Sequence, residues 1–200
     1  MITRHTIILT TDSPKRIYPD WAYRLYAQLC REAGDPLAEL LHVQGETPLS
    51  QYLQPLGAGR AAWQVTLLSD EAAQLAELPL SAPDFRIEDE AVTLTAESHS
   101  VEYIADESEL LAAAAQSDKT LTRLMLRSPC TFKRDGQYVL FPSVDLIVSS
   151  LVRKWNGCSQ KFCIDDEDAV AALVRGISIE NYRLQSNMFH MKGAGVRGFS

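Results

Sequence analysis

The sequence predicts an α+β protein made of two similar units, and three observations point there. Stretches that alternate in polarity with a period of two interleave with stretches whose apolar residues recur at helical spacing. No apolar run approaches the roughly 20 residues that a membrane span requires. The charge also changes sign along the 200-residue chain. Residues 1–118 carry 7 Lys+Arg and 19 Asp+Glu, a net of −12, whereas residues 119–200 carry 12 and 7, a net of +5. The overall net charge of −7 argues against a polyanionic partner, but its distribution does not. A polyanion would be drawn to the second part and repelled by the first.

Taken in order, His5–Thr11 reads as a first strand. Pro19-Asp20 opens a helix with Asp20 as N-cap, and Trp21, Ala22, Leu25, Leu29 and Cys30 form its apolar stripe. Gly34-Asp35-Pro36 stops it, and Pro36 suits the first turn of a short second helix, Leu37–His42. Residues 44–59 read as turns. Ala62–Leu68 is a strand. Ser69, followed by Asp70 and Glu71, caps a helix to about Leu78, which Pro79 and Pro83 break. Ala91–Thr95, extendable to Tyr103, is the next strand. The order β-α-β-α-β, with room for one more strand, matches a ferredoxin-like unit. Glu107–Ala115 is helical by composition, and Thr120–Arg127 reads as the strand that begins a second unit. Thr131–Lys133 and Gln137–Phe141 flank Arg134-Asp135-Gly136, an Asp-Gly hairpin turn. Val144–Trp155 is the strongest helix, with Val144, Ile147, Val148, Leu151, Val152 and Trp155 on one face and Arg153 and Lys154 in its last turn. Asp165–Val174 is another helix, and Ile177–Phe189 is a long strand region. The chain closes on the basic glycine-rich run Met191–Ser200, read as the loop before a last strand. The expectation is therefore tandem ferredoxin-like (RRM-like) units, 1–103 and 104–200, each an antiparallel sheet with helices on one face.

The N-terminus has no apolar core of signal-peptide length and no small-residue cleavage site, so the cytoplasm is the expected location and no membrane contact is expected. Cys30, Cys130, Cys158 and Cys163 lack C-x-x-C spacing and read as reduced thiols; Cys158 and Cys163 could bracket a short loop. His5, His99 and His190 have no spaced partners for a metal.

Three segments together resemble the CRISPR repeat-RNA endoribonucleases of the RAMP superfamily. The specific one is Ser128–Asn156: Ser-Pro, a Phe-basic-Gly-Tyr hairpin, Phe141-Pro142, and a helix ending in Arg153-Lys154-Trp155-Asn156. The second is Tyr182-Arg-Leu-Gln-Ser-Asn-Met-Phe189 with the glycine-rich run after it. The third is Tyr26 on the first long helix, followed by Asp35-Pro-Leu-Ala-Glu-Leu-Leu-His42. The resemblance implies paired ferredoxin-like units and cleavage of precursor CRISPR RNA within the repeat, with no metal or cofactor. In that chemistry a ribose 2′-OH attacks the adjacent phosphate, leaving a 2′,3′-cyclic phosphate and a 5′-OH.

His42 and Tyr26 are the catalytic candidates. An imidazole can protonate the departing 5′ oxygen near neutral pH, whereas a phenol is a poor base and suits orientation of the ribose; Tyr23, one turn earlier, competes with Tyr26. Some members of the family add a lysine shortly after the histidine. Here no Lys or Arg occurs between His42 and Arg60, so Arg60 is the only nearby substitute as a stabiliser of the phosphorane. The RNA-binding candidates are Lys133, Arg134, Arg153, Lys154, Lys192, Gly193, Gly195, Arg197 and Gly198, cations for phosphates and glycines for close backbone approach. The partners implied are CRISPR repeat RNA, subunits of a CRISPR effector complex and a second copy of the chain. The alternative is a catalytically weak or silent RNA-binding subunit. A generic RNA-recognition sheet would need paired aromatics and basic residues on its central strands, and the sequence lacks that motif.

Overall fold

The computed structural model describes residues 2–42, 47–117, 122–134, 136–159, 161–191 and 194–200. The chain divides into a unit of Met1–Ser117 and a unit of Asp118–Ser200. The first unit runs β1 (Ile2–Thr10), α1 (Trp21–Ala33), α2 (Asp35–His42), β2 (Leu49–Gly57), β3 (Arg60–Leu67), α3 (Asp70–Leu80), β4 (Asp84–Ile87), β5 (Val92–Ala105) and α4 (Glu107–Ala115). The boundary lies past 103/104 because β5 runs through that point and α4 packs back on β5. The five strands form one antiparallel sheet in the order β2-β3-β1-β5-β4. With the short edge strand β4 and the extra helix α2 set aside, this is the βαββαβ ferredoxin-like order, with β1 at its centre.

Period two decides which face of β1 is covered. Thr3, His5, Ile7 and Leu9 are buried and the residues between them are not. Ile7 and Leu9 join Val65, Trp63, Leu25 and Leu37 in a core where Trp63 meets Phe85 edge to face, 5.2 Å between ring centroids. Two glutamines, the half-buried Gln51 and the buried Gln28, tie α1 to the sheet. Gln51 Oε1 accepts from Trp63 Nε1 at 2.8 Å, while its Nε2 donates to the Ala22 carbonyl at 2.9 Å. Gln28, 6% exposed, accepts from the Arg86 amide at 2.8 Å. Each satisfies a polar group that burial would otherwise penalise.

Two sequence expectations for this unit fail. Residues 49–57 are a strand, not turns. Pro55 is tolerated because β2 is an edge strand and one side of it needs no amide donors. α3 continues through Pro79 to Leu80; both bury against the core, which offsets the one helical hydrogen bond that Pro79 cannot donate. The β2–β3 turn requires glycine at 59. Its φ is +69°, and a Cβ there would stand 2.7 Å from the Thr11 carbonyl oxygen.

The second unit contains β6 (Phe132–Arg134), β7 (Gln137–Val139), α5 (Val144–Cys158), α6 (Glu167–Gly176), β8 (Ser186–Met191) and β9 (Ala194–Phe199). β6–β7 and β8–β9 are antiparallel hairpins. The first turns through Gly136, at φ +78°, as its Asp-Gly sequence predicts. Cys130 and Phe199 exchange two backbone hydrogen bonds of 2.8 Å, and Gln185 and Ser200 exchange two of 2.8 and 3.0 Å. The expected strand over 120–127 is absent from the described residues 122–127, and the region Ile177–Phe189 is strand only from Ser186. From Ala194 to Phe199 the glycine-rich end is itself a strand. Val196 and Phe199, 5% and 2% exposed, anchor β9, and pairing with β8 satisfies the backbone that its glycines leave flexible.

Candidate functional site

His42 is the last residue of α2 and is exposed, while Leu37 and Leu41 of the same helix are 0% and 4% exposed and hold it to the core. Its Nδ1 lies 2.6 Å from the Ala38 carbonyl oxygen. A carbonyl oxygen only accepts, so Nδ1 carries a hydrogen and Nε2 is the nitrogen left to gain or give a proton. Leu41 O, also in that last turn, accepts from the Thr47 hydroxyl at 3.2 Å, which begins the chain's return towards β2.

Tyr26 sits on α1, half-buried and packed on the core, and α1 packs against α2. Burial pushes its phenol pKa up to about 12, with Cys30, one turn on, adding to the rise. A phenol that holds its proton so firmly is unsuited to act as a base. Tyr23 is exposed on the same helix. Arg60 Nε and Nη2 donate to the two carboxylate oxygens of Glu97 at 2.8 and 3.0 Å. That bidentate pair neutralises the one arginine proposed as a substitute for the missing lysine.

The basic candidates lie in the second unit. Lys133 and Arg134 are exposed on β6; Lys133 Nζ stands 5.9 Å from the Tyr138 ring centroid, and Arg134 is ion-paired to Asp145. Arg153 and Lys154 occupy the third turn of α5, the first exposed and the second half-buried. On β9, Gly195 and Arg197 face outward while Gly198 is buried opposite Asn187. Lys192 and Gly193 lie outside the described residues. Gly198 therefore serves strand packing, and Arg197 is the outward cation of β9.

The sequence reading missed a clasp at the end of α5. Asn156 Nδ2 donates to the Ile164 carbonyl at 2.8 Å, and its Oδ1 accepts from the Ile164 amide at 2.7 Å. Trp155 Nε1 donates to the Phe162 carbonyl at 2.7 Å. The Trp-Asn pair thus folds the following loop back on the helix that carries Arg153 and Lys154. An Asn after a helical Trp is the only sequence signal for it. On the face of the first sheet away from the helices, β1 and β3 present Arg4, Thr6, Ile8, Ala62, Gln64 and Thr66. These two central strands include no aromatic for base stacking; Tyr52 of the edge strand β2 shares that face, its hydroxyl donating to Gln64. Among the described residues, no helix is long and apolar enough to cross a membrane.

Residues 124–199 match the family model for the CRISPR-associated endoribonuclease Cas6. Relatives bearing that name are 23% identical: one from Streptococcus thermophilus over 90% of this chain and 74% of its own, and one from Mycobacterium tuberculosis over 100% and 65%. The chain thus spans about two thirds of the length of the M. tuberculosis relative. Two Cas6 product complexes share the fold, with TM-scores of 0.71 and 0.70 at 18% and 20% identity. They cover all of this chain and 81% and 82% of theirs. The resemblance read from Ser128–Asn156 and the glycine-rich end falls inside the matched segment.

Proposed function

We propose, from a chain that resembles the Cas6 endoribonucleases throughout its length, that it cleaves CRISPR precursor RNA within the repeat. The observation that carries the reading is the fixed imidazole of His42, exposed at the end of α2 with Nδ1 committed to Ala38 and Nε2 open. In the reaction the ribose 2′-OH loses its proton to solvent, its oxygen bonds to phosphorus, and the bond to the 5′ oxygen breaks. The protonated Nε2 of His42 gives its proton to that leaving oxygen, so the products are a 2′,3′-cyclic phosphate and a 5′-OH. No step needs a metal. Tyr26 supports the site through α1 rather than by moving a proton. Arg153, Lys154 and Arg197 contact phosphates, with Lys133 as a further contact.

A second reading, an RNA-holding subunit with weak or no cleavage, has one observation in its favour. Arg60 is neutralised by Glu97, and no other Lys or Arg lies between it and His42 to stabilise the phosphorane. The two readings separate on a CRISPR repeat RNA incubated with the protein in EDTA. Cleavage at one site, abolished when the ribose there is 2′-deoxy, supports the nuclease. Tight binding without cleavage supports the subunit, and normal cutting of the deoxy substrate overturns the cyclic-phosphate chemistry.

A further inference from the structure

The four cysteines are all reduced, and the fold sorts them into two kinds. Cys30 and Cys130 are half-buried single thiols whose pKa values burial pushes up, which keeps them protonated and unreactive. Cys158 and Cys163 flank one turn. Cys158 ends α5, and Cys163 is exposed in the loop after it.

The described residues around it are tied together by hydrogen bonds. Ser159 Oγ accepts from the Phe162 amide at 3.0 Å and donates to the Phe162 carbonyl at 2.7 Å. The Ser159 amide donates to the Trp155 carbonyl at 2.7 Å, so the residue after Cys158 is still tied to the helix. Trp155 and Asn156 fasten Phe162 and Ile164, the two neighbours of Cys163. The chain neighbours Ser159 and Phe162 are therefore in hydrogen-bond contact, and each cysteine is one residue outside that contact. Two thiols so placed need little chain entropy to meet, because Ser159 and Phe162 beside them are already in contact.

We propose that Cys158 and Cys163 form a reversible dithiol–disulfide site whose oxidant is a hydroperoxide. The exposed Cys163 thiolate attacks a peroxide oxygen, breaking the O–O bond to give a sulfenic acid and, with a proton, water. The Cys158 sulfur then attacks the sulfenyl sulfur; the S–O bond breaks, the S–S bond forms, and the second oxygen leaves as water. Two thiols lose two hydrogens in all, and one hydrogen peroxide becomes two waters. A dithiol reductant reverses the step by thiol–disulfide exchange.

The test uses the full chain at neutral pH with hydrogen peroxide, followed by alkylation, trypsin digestion and mass spectrometry. Lys161 lies between the two cysteines, so trypsin separates Trp155–Lys161 from Phe162–Arg175 unless a disulfide joins them. The expected result is that linked pair, with two of the four thiols lost to alkylation and Cys30 and Cys130 still alkylated. In C158S, Cys163 should accumulate as a sulfenic acid that a dimedone probe captures, with no linked pair. In urea the linkage should form more slowly than in the folded chain. Mixed pairing among all four cysteines, or equal rates folded and unfolded, would overturn the proposal.

Discussion

The Nδ1 atom of His42 lies 2.6 Å from the carbonyl oxygen of Ala38, one helical turn before it. This bond fixes both the tautomer and the direction of the ring, so loss of the imidazole removes a positioned acid rather than a mobile side chain. His42→Ala should lower single-turnover cleavage of repeat RNA by about 10²- to 10⁴-fold while leaving RNA affinity unchanged. Equal cleavage by wild type and variant would remove His42 from the mechanism.

Burial, with Cys30 adding, raises the Tyr26 phenol pKa to about 12. Tyr26→Phe should therefore leave the shape of the pH–rate profile unchanged. A lost or shifted limb of that profile would show that the phenol titrates in catalysis.

Arg60→Ala should leave cleavage at the wild-type rate, because its guanidinium already faces Glu97 at 2.8 and 3.0 Å. Arg197→Ala, by contrast, should weaken RNA binding and reduce the slope of log affinity against log salt by about 0.7, one phosphate on a single strand. Filter binding across a salt series reads both effects. An unchanged slope would place Arg197 away from the RNA.

Acid should loosen the first unit through its histidine pair. His5 is 5% exposed, and its Nδ1 lies 3.0 Å from His99 Nε2. Burial, with His99 adding, pushes the His5 pKa from 6.5 down to about 4, and burial lowers His99 as well. Between those pH values the unfolded chain binds a proton that folded His5 refuses. Stability is thus at its full value above pH 6.5 and falls as the pH drops towards 4, by about 3 kcal/mol at most for His5. Urea midpoints at pH 7 and pH 4.5 should diverge less in His5→Asn than in wild type. The same divergence in both would clear His5 of the effect.

What the sequence made legible was what periodicity and punctuation encode. α1 and α5 follow from their apolar stripes, the β6–β7 hairpin from Asp-Gly, and α3 from Ser69, whose Oγ does accept from the Ala72 amide at 3.1 Å. β2 was hidden because Pro48, Pro55 and Gly57 mimic a loop, and only its place at the sheet edge makes them acceptable. β9 was hidden because glycine has poor strand propensity; its pairing with β8 is tertiary information. His42 was found through resemblance to a family. Its bond to Ala38, the Glu97 partner of Arg60 and the Asn156 clasp lie in distances that no spacing rule reports.

β1 lies at the centre of its sheet, yet both of its partners come later, β3 ending at Leu67 and β5 at Ala105. On the ribosome, one edge of β1 must wait for β3, a third of the way along the chain, and the other for β5, complete only just past the midpoint of the chain. The first unit is therefore a late and sudden folder, built on contacts of long sequence separation. A pause in synthesis before residue 105 would leave a sticky, half-built sheet for chaperones to shield.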